Sequence, residues 1–147
     1  NVQGDEPVCN PKDIKKIVNF AKKNPNLIIN GYTEINDKKI FNSPNVPKVV
    51  FDKNEKLLFM SRSPIPSNKK RRFIKAWRQV CIYSFPYKSL KIYTSVKKKT
   101  PLESIEDLES NRFLELGYEV KMLKMSNKSV AVDTKEDLVK VKKLVKN

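Results

Sequence analysis

The chain contains no histidine, only two cysteines and no long hydrophobic run among its 147 residues. The absence of histidine excludes histidine-based acid–base catalysis, Ser-His-Asp triads and zinc sites with histidine ligands. Cys9 and Cys81 lie far apart and form no CxxC pair. This is typical of reduced thiols in a cytoplasmic protein, although the spacing alone leaves a disulfide open. No apolar run approaches the roughly 18 residues of a transmembrane helix, so we expect no membrane-embedded segment.

Acidic residues are scarce relative to basic ones, since 31 Lys and Arg face 16 Asp and Glu, for a formal net charge of +15. Such a surface attracts nucleotides, sugar acids, nucleic acid or acidic membranes, or it is simply well solvated. The run Lys69-Lys70-Arg71-Arg72 fits a solvated loop or a phosphate-binding patch, so a basic nucleic-acid-binding domain remains an alternative. The aromatic residues show no alternating stacking pattern, and we favour a protein that binds neither nucleic acid nor membrane.

An apolar content of 39% suits one core, and we expect residues 1–147 to form a single domain. Helix and strand patterns alternate over most of the chain, which predicts an α/β fold with a largely parallel sheet. A hairpin signal at 48–60, two apolar runs around Asp52-Lys53-Asn54-Glu55, is an insertion in that pattern. The other expected elements are a helix from Asn10 to Asn24, strands at 27–30, 80–85 and 119–125, helices at 73–78, 87–96 and 100–117, loops at 41–47 and 61–72, and a last helix from Thr134.

Two of the expected helices have a clear apolar face. One face of the helix at 100–117 carries Ile105, Leu108, Arg112 and Leu116, and Gly117 suits its C-terminal cap. In the last helix we expect four inward-facing residues, Leu138, Val141, Leu144 and Val145.

Two aspartates follow apolar runs and directly precede a loop or a helix: Asp5 in the opening segment and Asp133 after Val130-Ala131-Val132. In an open α/β sheet, ligands bind beyond the carboxyl ends of the strands. If both runs are strands of one sheet, the two carboxylates converge there and form a site that suits Mg²⁺ together with substrate phosphates. The alternative is structural: Asp5 forms a turn and Asp133 caps a helix.

Arg62 stands at the end of the second strand of the expected hairpin, before two prolines. A guanidinium at that position is able to hold a carboxylate or a phosphate with two parallel hydrogen bonds. The alternative is an ordinary exposed arginine.

The first residues, Asn1-Val2-Gln3-Gly4, read as the tail of a buried strand that breaks at the glycine, and no initiator methionine precedes them. We therefore expect the chain to be the back part of a longer enzyme.

Six blocks of sequence carry a resemblance to a known family. They are NVQGDEP at 1–7, PKVVFD at 47–52, SRSPIP at 61–66, CIYSF at 81–85, TPLESIEDLESNRFLELGY at 100–118 and AVDTKEDL at 131–138. In this order and spacing they resemble the 3-deoxy-manno-octulosonate cytidylyltransferase (CMP-Kdo synthetase) family over the whole chain. The resemblance implies a three-layer, Rossmann-like α/β nucleotidyltransferase sheet, present here in part. It also implies a homodimeric, Mg²⁺-dependent cytoplasmic enzyme.

The reaction that this resemblance implies joins CTP and the eight-carbon sugar acid Kdo, giving CMP-Kdo and pyrophosphate for lipopolysaccharide synthesis. Asp5 and Asp133 match the family's magnesium aspartates, and Arg62 matches an arginine that contacts the anionic substrate. Catalysis would therefore depend on Asp5, Asp133 and Arg62. The positions that match the family's sugar-facing residues are Gln3, Gln79, Tyr83 and Glu109, and a loop arginine near the ligand matches Arg71 or Arg72.

Three departures from the family pattern lie on its sugar side. Gln79 stands where many members have histidine, Cys81 replaces a glycine, and Ser110 follows Glu109 where a glutamine is frequent. These departures leave a related sugar acid, of the 8-amino-Kdo or sialic-acid type, as an alternative substrate.

The family's Gly-rich loop and its cytosine pocket have no counterpart in these 147 residues. We therefore expect the chain alone to be inactive toward CTP. A truncated, inactive relative that serves as a dimer partner is a further alternative.

Overall fold

One five-stranded sheet organises the chain in this computed structural model, which describes residues 1–146. The strands are β1 (Ile28–Ile35), β2 (Lys48–Phe51), β3 (Leu57–Ser61), β4 (Ala76–Ser84) and β5 (Val120–Lys124). Their order across the sheet is β3-β2-β4-β1-β5, with β1 and β5 parallel and the other pairs antiparallel. The prediction of a largely parallel sheet is therefore wrong. Among the described residues β1 and β5 form the one parallel pair, and a long crossover joins them, as parallel neighbours require. Residue 147 of the expected domain lies outside the described residues.

The helices cover both faces of this sheet. They are α1 (Pro11–Lys23), α2 (Lys38–Asn42), α3 (Tyr87–Ser95), α4 (Pro101–Glu106), α5 (Ser110–Glu115) and α6 (Lys135–Lys146). Side chains alternate along β1, so Ile29 packs in the core on the side of α1, and Ile28 and Tyr32 pack on the side of α5. The result is the expected three-layer α/β arrangement.

Helix α1 begins as its sequence predicts. The Asn10 side chain accepts a hydrogen bond from Lys12 N at 3.0 Å, and Pro11 occupies the first turn. Asp13 is buried and accepts from both the N–H and the hydroxyl of Ser126, at 3.1 and 2.6 Å. This contact ties α1 to the segment that follows β5.

The hairpin predicted at 48–60 is confirmed. β2 and β3 pair around a turn in which Asp52 Oδ1 accepts from the N–H groups of Asn54 and Lys56, at 2.8 and 2.9 Å. β2 also pairs with β4, so the hairpin forms one edge of the main sheet.

The single helix expected at 100–117 is in fact two short helices. Asp107 ends α4 in a left-handed conformation with φ of 52°, and Ile105 of the expected inner face is 79% exposed. Across the break, Arg112 reaches back to Glu103 with Nε–Oε2 and Nη2–Oε1 distances of 2.5 and 2.8 Å. Both side chains are almost fully buried, at 7% and 1% exposure. The change of direction at residue 107 is what brings this ion pair inside.

Several other elements differ from the prediction because tertiary pairing overrides local propensity. Residues 76–78 of the expected helix at 73–78 are the first residues of β4, which has a strand on each side. β1 continues past residue 30 to Ile35, and the expected loop at 41–47 begins inside α2.

The apolar run at 130–132 lies outside the five strands, against the expectation that Asp133 ends a strand of the sheet. In the last helix only Val141 of the four expected inward residues is buried. The three others, Leu138, Leu144 and Val145, are exposed. Both cysteines are free thiols. Across residues 1–146, no helix combines the length and apolar character that crossing a bilayer requires.

Candidate active site

A β-bulge in β4 creates the surface on which the candidate site forms. The pairing with β1 passes from Asn30–Tyr83 directly to Gly31–Val80, so residues 81–82 are extra in β4. Bulges of this kind bend a strand and re-aim its side chains, and they are frequent beside active sites.

The first residues of the chain pair with the bulged part of β4. Gln3 N donates to Cys81 O at 3.1 Å, and Tyr83 N donates to Asn1 O at 2.8 Å. The expected opening strand therefore exists as a short pairing of residues 1–3, although Val2 within it is exposed rather than buried. This pairing fixes where residue 5 leaves the sheet.

The buried carboxylate of Glu6 joins three parts of the chain that are distant in sequence. Its Oε1 accepts from Cys81 N at 3.2 Å, and its Oε2 accepts a short hydrogen bond from the Ser129 hydroxyl. Next to it, Val132 N donates to Asp5 O at 2.8 Å. The segment at 129–132 is therefore held beside the opening segment by one side-chain and one backbone hydrogen bond, without being a strand.

Asp5 and Asp133 are brought together by these contacts. Burial raises the pKa of Asp133, and the nearby carboxylates of Asp5 and Asp137 raise it further, whereas Arg62 opposes the shift. Among the side chains described, those of residues 1–145, neither Asp5 nor Asp133 has a hydrogen-bond or ion-pair partner. Two like charges held close without an internal partner favour a bound cation.

Arg62 faces this acidic pair from a rigid position. Its Nε donates to Glu106 O at 2.8 Å, Nη1 to Pro44 O at 3.0 Å and Nη2 to Asp107 O at 3.3 Å. The last carbonyls of a helix lack donors within the helix, so the end of α4 supplies two of the three acceptors. The break between α4 and α5 therefore orients this guanidinium.

Lys48 contacts the backbone of the same arginine. It is fully buried, and its Nζ donates to Ser43 O at 2.8 Å and, by a short hydrogen bond, to Arg62 O. Burial lowers the pKa of Lys48 to about 8, the positive charge of Arg62 contributes to the decrease, and Glu106 opposes it.

Seven of the residues singled out from the sequence line one cleft of ≈ 230 Å³, which we call the central cleft. They are Gln3, Asp5, Arg62, Gln79, Tyr83, Glu109 and Asp133. A second, more apolar pocket of ≈ 200 Å³ adjoins it, because Gln3, Tyr83 and Glu109 line both. The central cleft thus has an acidic end, a cation opposite, and an amide–hydroxyl wall. Arg71 and Arg72 lie in the exposed loop between β3 and β4 and are not among its lining residues.

Arg78 is a lining residue that the sequence reasoning missed. Its Nη2 donates to Ser129 O at 2.8 Å, and burial lowers its pKa although Glu6 opposes this. The sequence signal for Arg78 was its position directly before Gln79. The incorrect prediction of a helix at 73–78 concealed this signal.

The donor set suits a hard divalent cation with few protein ligands. Among the described residues, no group of three or more His, Cys, Asp or Glu side chains gathers as a metal site. Two carboxylates with open space beside them match Mg²⁺, which is usually held by one or two carboxylates together with substrate phosphates and water.

The fold and this arrangement define the class of protein as an α/β nucleotidyltransferase. Superposition on a putative glucose-1-phosphate thymidylyltransferase from Bacillus anthracis gives a TM-score of 0.64 at 16% identity, covering 99% of this chain and 53% of that one, which concerns the fold alone. Residues 1–139 match the profile of the cytidylyltransferase family, and the chain belongs to that family.

Individual relatives agree with this assignment. A 3-deoxy-manno-octulosonate cytidylyltransferase from Fusobacterium nucleatum is 35% identical over 99% of this chain and 60% of its own length. An 8-amino-3,8-dideoxy-manno-octulosonate cytidylyltransferase from Shewanella halifaxensis is 33% identical over 94% of this chain and 57% of its own length. A CMP:2-keto-3-deoxy-manno-octonic acid synthetase solved in complex with CTP superposes with a TM-score of 0.87 at 27% identity, over 99% of this chain and 60% of that one. The chain spans about 60% of the length of the relatives it matches.

Proposed function

We propose that this chain provides the metal- and sugar-acid-binding part of a cytidylyltransferase that joins CTP and Kdo, giving CMP-Kdo and pyrophosphate. The observation that carries the proposal is the convergence of seven motif residues on the central cleft. These residues come from five separate parts of the chain, so their meeting does not follow from any one local pattern. The homodimer, the cytoplasmic location and the role in lipopolysaccharide synthesis belong to the same proposal.

Asp5 and Asp133 would hold Mg²⁺. When bound, the ion would neutralise charge on the triphosphate and help to orient it. The absence of histidine fits this reaction, because the sugar hydroxyl is itself the nucleophile and no protein nucleophile is needed. In the balanced reaction, an oxygen–phosphorus bond forms at the α-phosphorus of CTP while the bond to pyrophosphate breaks, and the hydroxyl proton is released.

Arg62 would bind the carboxylate of the sugar acid. Three of its N–H groups already donate to backbone carbonyls, and a guanidinium has five such donors, so two remain for a ligand. The side chain is held in place before the ligand arrives, so binding costs little further conformational entropy. Tyr83 would meet the sugar with a protonated hydroxyl, because burial, followed by the neighbouring Cys81 and Glu109, raises its pKa.

The identity of the sugar acid is the open part of the proposal, because Gln79, Cys81 and Ser110 depart from the family pattern. Kdo is the proposed ligand, and its 8-amino analogue and sialic acid are the alternatives. The relative from Shewanella halifaxensis, named for the 8-amino sugar, keeps that alternative relevant.

Calorimetric titration of the purified chain with Kdo, 8-amino-Kdo and sialic acid, each with Mg²⁺ present, tests the proposal. We expect Kdo to bind most tightly, and Arg62→Ala to weaken it by about tenfold or more through loss of a charge-assisted contact. Lys15→Ala removes the same charge from the exposed side of α1 and serves as the matched control. Tightest binding of another acid would reassign the substrate, and equal effects of the two variants would reject the role of Arg62.

We also propose that the chain alone forms no CMP-Kdo. Its three glycines, at 4, 31 and 117, form no Gly-rich loop that could grip a triphosphate. An assay of pyrophosphate release from CTP and Kdo checks this, and measurable turnover by the purified chain would refute it.

A further inference from the structure

A buried asparagine lies behind the wall of the central cleft that carries Gln79 and Tyr83. Asn30, in β1, has an exposure of 0%. Its Nδ2 donates to the backbone oxygens of Val80 and Ile82, at 3.0 and 3.1 Å. A carbonyl oxygen only accepts hydrogen bonds, so these two contacts allow a single orientation of the Asn30 amide. The contacts also satisfy carbonyl groups at the β-bulge, where regular pairing is interrupted.

The orientation of Asn30 determines the orientation of Gln79. The Oδ1 of Asn30 faces Gln79 Nε2 at 3.3 Å, and because this oxygen only accepts, Gln79 must present its NH₂ group to it. The same Nε2 donates to Tyr83 Oη at 2.6 Å. A regular strand would separate residues 79 and 83 by roughly 13 Å, and the two extra residues of the bulge bring them within contact.

The polarity of the wall follows from this chain of contacts. Both side-chain hydrogen bonds of Gln79 are made by Nε2, which leaves Oε1 as the group that this lining residue offers to the central cleft. Tyr83 Oη accepts from Gln79, so its own proton points away from Gln79. The Cys81 thiol, also a lining residue, is a weak acceptor within its reach, and a ligand oxygen in the cleft is a stronger one. The wall therefore offers an acceptor beside a donor.

We infer that Asn30 is a positioning residue that sets the hydrogen-bond polarity of this wall through Gln79. The wall takes a sugar hydroxyl, which donates to Gln79 Oε1 and accepts from Tyr83 Oη. A glutamine does not titrate, so this polarity does not change with pH near neutrality. The inference rests on the proposed function for the nature of the ligand, but the polarity itself belongs to the free protein.

The polarity is measurable without any ligand, by proton exchange at the Gln79 side-chain amide in ¹⁵N NMR. In the wild-type protein we expect slow exchange, because both protons of Nε2 are bonded. In Asn30→Val, one of these bonds is lost and exchange becomes about tenfold faster. Asn111→Val is the matched control, since Asn111 is also completely buried and its Nδ2 donates to a backbone oxygen, that of Met60 at 3.0 Å. Fast exchange in the wild-type protein overturns the inference without the need for any variant.

A double-mutant cycle on the affinity for Kdo tests the positioning role. We expect Asn30→Val to weaken binding by about tenfold in the wild-type background and by less than about twofold in Gln79→Met, because Asn30 acts only through Gln79. A purely structural role would give the same loss in both backgrounds, and that result overturns the inference. Equal weakening by Asn111→Val also overturns it. If the wild-type chain binds no sugar acid, the proposed function fails, and the exchange measurement still decides the polarity.

Discussion

Two clusters of charged residues in this protein differ in whether their charges are paired within the fold. Glu103 and Arg112 are buried between α4, α5 and α3 and complete each other with two hydrogen bonds. Burial alone would raise the pKa of Glu103, yet Arg112 and the Thr100 N–H bring it below its usual value. Asp5 and Asp133 have the same sign and lie side by side, and the pKa of Asp133 is raised. Charges that are satisfied internally hold the fold, whereas charges left without a partner are available to a ligand.

The largest effect should come from breaking the satisfied cluster. Arg112→Met leaves Glu103 buried without its partner, which is expected to lower the free energy of unfolding by about 3–5 kcal/mol in urea denaturation. The double variant Glu103→Met/Arg112→Met should recover much of this loss, since it removes the buried charge as well. Lys99→Met, which removes an exposed ion pair with Asp107, is the control and should change stability little. If Arg112→Met is as stable as the wild-type protein, the buried ion pair does not hold the fold, and the contrast with Asp5 and Asp133 fails.

The next effect concerns the unsatisfied cluster as a metal site. Asp133→Asn should weaken Mn²⁺ binding, followed by electron paramagnetic resonance, by at least about tenfold because one of two anionic ligands is lost. Glu136→Gln removes a neighbouring carboxylate from the first turn of α6 and controls for general charge. If both variants bind Mn²⁺ equally well, Asp133 is not a ligand.

A smaller effect is expected at Lys48, which links the cleft to the interior. Its pKa in the folded protein is about 8, and that of an unfolded lysine is about 10.4. Between these values the unfolded chain binds more protons, so the contribution of Lys48 to the free energy of unfolding rises with pH. From pH 8 to pH 9, the wild-type protein should gain about 1 kcal/mol relative to Lys48→Met. Parallel stability curves for the two proteins would show that Lys48 is not perturbed.

The smallest expected effect is on the free energy of unfolding of Asp133→Asn, and its sign is opposite to that of Arg112→Met. Asp133 has a raised pKa, so its stability contribution is greatest at low pH and is lost as the pH rises through that value. At pH 7 with EDTA, Asp133→Asn should therefore stabilise the fold by a few tenths of a kcal/mol, opposite to Arg112→Met. A clear destabilisation in thermal unfolding would mean that the carboxylate has an internal role.

Local patterns predicted the elements whose signals are local. The cap at Asn10 and the turn at Asp52 are confirmed because each depends on contacts within a few residues. The resemblance also identified seven of the lining residues, although the segment before Asp133 is not a strand. What brings it to Asp5 is a backbone hydrogen bond together with the contact between Glu6 and Ser129, and these partners are too far apart in the chain for a local pattern to pair them.

The remaining features depend on partners distant in the chain. The start of β4 follows from pairing with β1 and β2, and the left-handed turn at Asp107 follows from the packing of α5. Asn30 could not be selected from the sequence either, because its role exists only where the β-bulge exposes two carbonyls to it.

The contacts of Glu6 determine which parts of the protein open together. One carboxylate joins the opening segment to the central strand and to Ser129, near the start of the final helix. The two ends of the chain should therefore exchange their amide hydrogens as one cooperative unit, detached together when this single group loses its partners. Local opening at either terminus would then dismantle the metal site while the rest of the sheet stays folded.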